Sequence, residues 1–368
     1  LLVFALLALG GPSRAGAQPS GAGDPAAQSS FLGQLAGTGG SVSFRTGRFP
    51  NGEPGWFHLG TDEAAGRQVF EARGRIELIT PDLNLRCRHL SFLMDTGVLL
   101  AREEVDLKTS EIEATCQAFD YDRERGTLHM SGTPKVLQRA GTSTTSFDGM
   151  EVFALERTEA EEQVVRLTGP RPITILLSGA ETAEGEEPSD EAEPASGLAK
   201  LGSNLRIEVS PRGETDPRVR STIDPEGELS EFTAAGSILM VSEDFQIRCD
   251  EMTYVAAEQR FVASGDVYFK QQSVEADSGH LVYELDTGRV TLTVNPDIRR
   301  FEPGGVTHIT EYDIFIIEPR ADGQPDLRGV GDGRSYFTPI DSSSTRTSGT
   351  PERPVDTEIR IETPSQVP

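Results

Sequence analysis

Asp82-Leu83-Asn84-Leu85-Arg86-Cys87 returns, 162 residues later, as Asp244-Phe245-Gln246-Ile247-Arg248-Cys249. Around it, all of Gly74–Gln138 aligns without a gap on Gly236–Arg300. Identities include Gly74/Gly236, Ala101/Ala263, Val105/Val267, Lys108/Lys270, Glu113/Glu275, Tyr121/Tyr283 and Pro134/Pro296. Most other pairs exchange like for like, as in Leu107/Phe269 and Ile112/Val274. A long repeat of this kind sets the unit of architecture ahead of any propensity argument.

A shorter repeat lies inside the long one. Phe92, Tyr121, Tyr254 and Tyr283 are each followed five residues on by Gly97, Gly126, Gln259 and Gly288. Two residues later comes Leu99, Leu128, Phe261 or Val290. Within each copy the spacing is 29, from Phe92 to Tyr121 and from Tyr254 to Tyr283. Asp95-Thr96-Gly97 and Asp286-Thr287-Gly288 are hairpin turns, in which glycine supplies a positive φ. Each unit reads as strand, turn, strand.

The strands alternate. Leu83, Leu85 and Cys87 face one way, with Asn84, Arg86 and Arg88 opposite. Phe245, Ile247 and Cys249 repeat the pattern, as do Val267 with Phe269 and Ile112 with Ala114 and Cys116. A period of two with one apolar side predicts sheets that are dry on one face and wet on the other. Asp82/Asp244, Arg86/Arg248, Lys108/Lys270 and Glu113/Glu275 fall on the wet side and are expected to form cross-strand charge pairs. No helical period interrupts the repeats. The predicted class is all-β: an open antiparallel roll built from hairpin units.

The first residues, Leu1-Leu2-Val3-Phe4-Ala5-Leu6-Leu7-Ala8-Leu9, lead into Ala15-Gly16-Ala17-Gln18. This matches the apolar core and small-residue cleavage site of a secretory signal with a truncated start, over 1–17. An uncleaved anchor is the alternative. Residues 18–39 read as disordered. Residues 181–200, with Glu186-Glu187-Pro188-Ser189-Asp190-Glu191, read as an acidic linker. Residues 341–368, rich in Ser, Thr and Pro, read as a loose tail. Two β modules are left, 40–180 and 201–340.

The net charge of −25 argues against nucleic acid and against attraction to anionic membranes. Three cysteines leave at least one unpaired. Cys87 and Cys116 are one 29-residue unit apart, which puts them two strands apart, ~9.6 Å at ~4.8 Å per strand. That exceeds the ~7 Å reach of a disulfide, so buried thiols are expected. His58, His89, His129, His280 and His308 have no metal-ligand spacing. There is no nucleophile elbow, phosphate loop or zinc signature. The residues therefore point to a chain that is not an enzyme and carries no cofactor.

Arg248-Cys249-Asp250-Glu251-Met252-Thr253-Tyr254, followed by Ala263-Ser264-Gly265-Asp266-Val267, resembles the OstA/LptA-like repeat, which ends in an Ala-x-Gly-Asn-Val segment. Glu275-Ala276-Asp277 and Tyr283-Glu284-Leu285-Asp286-Thr287-Gly288 continue the likeness. In the first copy Glu103-Glu104-Val105 lacks the glycine. The resemblance covers about 65 residues of each module.

It implies a β-jellyroll with an apolar interior, located in the periplasm. Members of that family carry the acyl chains of lipopolysaccharide toward the outer membrane and join related Lpt-type envelope proteins, or themselves, edge to edge. On that basis Leu83, Leu85, Val105, Leu107, Ile112 and Ala114 are expected to line an apolar trough. Phe245, Ile247, Val267, Phe269, Val274 and Ala276 would repeat it. Lipopolysaccharide or another acyl lipid would be held there at ~0.8 kcal/mol per buried methylene. The alternative is a structural scaffold in which the same rows pack a dry core and the sheet edges bind proteins. A second block, an acidic linker and the lack of a basic rim set this chain apart from a simple lipid bridge.

Overall fold

The computed structural model describes residues 43–339, apart from 63–66, 81–82, 110–111, 123, 141–142, 159, 179–203, 226–228, 303–304 and 320–324. The expected signal, the 18–39 segment, the acidic linker and the 341–368 tail all lie outside the described residues.

The first twelve strands are β1 (Ser43–Gly47), β2 (Trp56–Asp62), β3 (Arg67–Ile79), β4 (Asn84–Leu93), β5 (Val98–Lys108), β6 (Ile112–Asp122), β7 (Thr127–Ser131), β8 (Lys135–Ala140), β9 (Ser143–Asp148), β10 (Val152–Arg157), β11 (Gln163–Thr168) and β12 (Ile173–Ser178). The second twelve are β13 (Leu205–Ser210), β14 (Arg218–Ile223), β15 (Leu229–Val241), β16 (Phe245–Val255), β17 (Arg260–Gln271), β18 (Val274–Glu284), β19 (Arg289–Thr293), β20 (Asp297–Glu302), β21 (Gly305–Thr310), β22 (Ile314–Glu318), β23 (Asp326–Val330) and β24 (Arg334–Pro339). Among the described residues one 3₁₀ turn, Ala256–Glu258, interrupts them. Every pairing with a defined register is antiparallel, so the all-β class expected from the sequence is the class observed.

The structural repeat is longer than the sequence repeat. β3 and β15, β6 and β18, and β7 and β19 have matching bounds at the offset of 162. The correspondence runs from β2/β14 to β11/β23. Even the register shifts recur: Arg102/Val105 in β5 becomes Ser264/Val267 in β17. β1 is one residue out of step. A side chain at Gly74 would press on Gly47 O, whereas at Gly236 it would press on Ser210 O.

Each long strand bends. The N-terminal half of β3 pairs β2 and its C-terminal half pairs β1, with Gly74 between them at φ 122°. β4, β5 and β6 bend in line with it, through register shifts between Arg73/Ile76, Arg86/His89 and Arg102/Val105. An extra residue in one strand kinks the ladder and raises its twist. β7 with β8, and β9 with β10, are halves of the same kind of strand, separated at the corner. Phe44 of β1 meets Phe70 of β3 at 5.0 Å, and Phe147 of β9 meets Phe153 of β10 at 6.1 Å. The two sheets thus pack against each other. In pairing order β6–β7–β10–β11–β14–β15–β13–β12–β9–β8 returns to β6, a closed ten-strand antiparallel barrel where an open roll was expected.

The chain divides into two compact units inside β15, with Gly236 ending the first and Ser237 opening the second. The packing boundary therefore falls after the 181–200 stretch in sequence and not at it. β13 pairs β12 and β14 pairs β11, so strands assigned by sequence to the second module belong to the first unit. The repeat boundary and the packing boundary differ because edge strands of one repeat complete the sheets of the other.

Corner positions carry the 29-residue period: Gly74, Glu103 and Gly132, then Gly236, Gly265 and Val294, all at positive φ. Glu103 and Glu104 take φ 63° and 53°, so this corner forms without the glycine of the motif. At the third corner the two copies exchange bulk. A Cβ on Gly132 would lie 2.5 Å from Gln117 Cβ, whereas Val294 stands against Gly279.

Two outcomes are expected. Cleavage at a protease site engineered within 181–200 leaves the two pieces co-eluting on size exclusion, held by β11–β14 and β12–β13. Gly132→Val lowers the urea-unfolding free energy by ~2 kcal/mol or more, about 1–2 of it from left-handed backbone on a β-branched residue. Gln117→Gly in the same chain recovers part of that loss, with a coupling of ~0.5–3 kcal/mol.

Candidate functional site: apolar rows and uncovered end strands

The twelve expected trough residues all face the interior, with exposures between 0 and 6 %. Cross-strand pairing brings each set together. Leu85 stands opposite Leu107, and Leu107 opposite Ala114. Ile247 stands opposite Phe269, and Phe269 opposite Ala276. Within each unit the six belong to one of its two sheets, Leu83 at the entry to β4. The facing sheet supplies an equal apolar row that the trough assignment omits: Phe70, Leu90, Phe92, Leu99, Phe119 and Met130 in the first unit. Its sequence signal is the Phe92/Tyr121 pair, which marks the 29-residue period. In the second unit Phe245 reaches Tyr283 at 6.0 Å across the sheets. Burial, and then the Asp244 carboxylate, push the Tyr283 phenol up.

The wet face is laced with ion pairs. Lys108 to Glu113 (2.5 Å) and Lys270 to Glu275 (3.0 Å) are the same pair in the two copies. Hydrogen bonds from Lys108 and then Arg139 hold Glu113 below its ordinary value. Arg86 reaches Glu77 at 2.9 Å, but its repeat partner Arg248 stacks over Tyr268 at 5.4 Å, so a charge pair expected twice forms once. Asp82 lies outside the described residues. His89 meets Glu71 at 3.1 Å and His308 lies flat on Tyr336 at 4.9 Å.

Cys87, Cys116 and Cys249 are free and buried, as their spacing predicts. β5 lies between Cys87 on β4 and Cys116 on β6. Burial pushes each thiol up to about 12.

Of the nine large apolar side chains left uncovered among the described residues, six sit on the first and last strands and three elsewhere, Leu176 on β12, Val294 at a corner and Phe301 on β20. Trp56, Phe57 and Leu59 sit on β2, Val330 on β23, and Tyr336 and Phe337 on β24. Among the described residues β2 pairs only β3, and β23 pairs only β22. Sequence patterning did not mark these residues, because β2 alternates like any inner strand and nothing local says that a neighbour is missing. A separate half-open cleft of about 490 Å³ lies in the second unit between two corners, lined by residues 294–297 and 310–313. Its Glu311 carboxylate is held by Arg334 at 3.1 Å. Among the described residues no group of three or more His, Cys, Asp or Glu is placed to hold a metal. No helix there is long and apolar enough to cross a membrane.

Compared with known proteins, the chain matches no family model and no curated sequence.

Thiols held at about 12 should not react with a disulfide reagent at pH 8 until the chain unfolds; all three then titrate in denaturant. The linkage has a definite sign. The unfolded thiols, near 9.0, give up protons that the folded ones keep, so stability falls as pH rises from 9 toward 12. A urea-unfolding series across that range checks it.

Proposed function

We propose that this chain is a non-enzymatic, secreted bridging scaffold of the cell envelope, working in the periplasm. It acts by strand addition at its end strands and uses its apolar rows as a core. One observation carries the reading: the interior rows are at most 6 % exposed, while six large apolar residues of the end strands stand 40–62 % exposed. A row without contact to water leaves no room for an acyl chain as it stands. An unpaired edge beside exposed apolar side chains is the usual platform for a partner strand. The resemblance to the OstA/LptA-like repeat supports the same edge-to-edge use, with related Lpt-type envelope proteins as partners.

Carriage of lipopolysaccharide or another acyl lipid is the second reading. It is favoured by the apolar side chains that both sheets turn inward at matching positions in the two copies. It requires the sheets to part around the chain they carry.

Ile247→Trp and Phe269→Trp separate the two. For a scaffold, overpacking a closed core lowers unfolding free energy by ~1–3 kcal/mol, and wild-type protein gives no crosslink to acyl-chain photoprobes. That is the expected result, read by urea unfolding and by mass spectrometry of crosslinked lipid. Unchanged stability, together with loss of a crosslink that the wild type does give, would establish the carrier instead.

A further inference from the structure

The half-open cleft of the second unit has a filled counterpart in the first repeat. At the offset of 162 its walls, residues 294–297 and 310–313, correspond to 132–135 and 148–151. In the first repeat five residues, 169–173, lie between Thr168, paired with Val152, and Thr174, paired with Asp148. In the second only three, 331–333, lie between Val330, paired with Ile314, and Arg334, paired with Thr310. The longer connection closes its corner. Ile173 and Met150 are fully buried there, and Pro172 O comes so close to Gly149 that a Cβ at that glycine would lie 1.9 Å away. In the second repeat Glu311 stands at the place of Gly149, and Tyr312, only half-buried, at the place of Met150. The Tyr312 ring lies against Gly329 and Gly333, where added Cβ atoms would meet it at 2.6 and 2.2 Å. The shorter connection leaves a cleft of about 490 Å³, inside the ~300–1,000 Å³ range of small-molecule sites.

The charge changes at the same place. Lys135 pairs with Asp148 at 3.2 Å in the first repeat. Their counterparts, Asp297 and Thr310, cannot form that pair. The nearby cations are already engaged: Arg299 holds Asp277, the residue opposite Asp297, at 2.9 Å, and Arg334 holds Glu311 at 3.1 Å. Asp297 and Asp313 have no ion-pair partner among the described residues. They share the cleft with the Thr310 hydroxyl, the Asn295 amide, the Tyr312 ring and the exposed side chain of Val294.

We propose that this cleft binds a small organic ammonium ion. Its unpaired carboxylates select a cation. Among the described residues no three His, Cys, Asp or Glu side chains are placed to hold a metal, and an aromatic ring beside an aliphatic wall suits a carbon body. Asp297 and Asp313 accept charge-assisted hydrogen bonds from the ammonium group, while Tyr312 and Val294 cover the carbon skeleton. The proposal is independent of the scaffold reading, which uses none of these residues. It also gives the second repeat a role that the first, with its corner closed and its lysine in place, does not share.

The test titrates benzylamine and benzyl alcohol, which share a ring and differ in the ammonium group, into the nitrogen-15-labelled full chain. The expected result is saturable movement of the amide signals of residues 294–297 and 310–313, with benzylamine binding at least tenfold tighter than the alcohol. Asp297→Asn and Asp313→Asn should each weaken benzylamine about tenfold. Asp297→Lys combined with Thr310→Asp rebuilds the ion pair of the first repeat; it should abolish binding while the urea midpoint of the chain stays that of the wild type. Equal affinity for the two probes overturns the proposal, as does tighter binding of calcium ion than of benzylamine. So does binding that survives the double substitution, movement spread over the acidic surface without saturation, or no movement at all.

Discussion

A strand that bends from one sheet into the other has to keep its apolar side chains on the inside of the bend. Period-two alternation alone does not guarantee this. This chain meets the constraint in two ways. In β4 the buried series Leu85, Cys87 breaks phase and resumes at Leu90 and Phe92, with Arg88 and His89 both left outside. In β5 the phase is kept but one inward position is skipped, Glu103, which turns out at positive φ between Ala101 and Val105. The two solutions alternate along the ladder, and the register shifts of neighbouring strands therefore stack into one continuous corner. Core, ion-pair face and end strands all follow from that line.

The stacked corner also explains why glycine is useful but not required. Neighbouring ladder bonds over-determine the backbone there, and Glu103, Glu104 and Val294 are held in left-handed conformations that cost each of them something. Once a corner is fixed by its neighbours, bulk can pass from one side to the other, as it has between Gln117/Gly132 and Gly279/Val294. Sequence identity at such positions is free to drift while the fold stays.

Covered core and uncovered ends are two outcomes of the same strand chemistry. Val219 and Phe57 occupy equivalent places, and among the described residues the buried one has a further strand beside it that the exposed one lacks. A ladder built from repeats has no intrinsic stop. Unless its end strands are capped, shortened or charged, they remain competent to pair. Here they carry aromatic residues, which is the physical ground of the proposal that places function at the ends.

The sequence by itself determined the class of the fold, the 29- and 162-residue periods, the twelve inward residues of one sheet and the unpaired state of the cysteines. Each of these depends on spacing along the chain, which alternation and turn glycines record directly. Legibility stopped where the deciding partner was far away in sequence. The facing sheet is built from positions such as Phe119 and Met130, whose alternation restarts after a corner that leaves no fixed residue type. β11 finds β14 across the acidic stretch, so the packing boundary moved into β15 although the repeat boundary stayed where composition put it. The exposure of Trp56, Phe57 and Leu59 could not be read locally at all, since an edge strand and an inner strand share one pattern and differ only in whether tertiary structure supplies a neighbour.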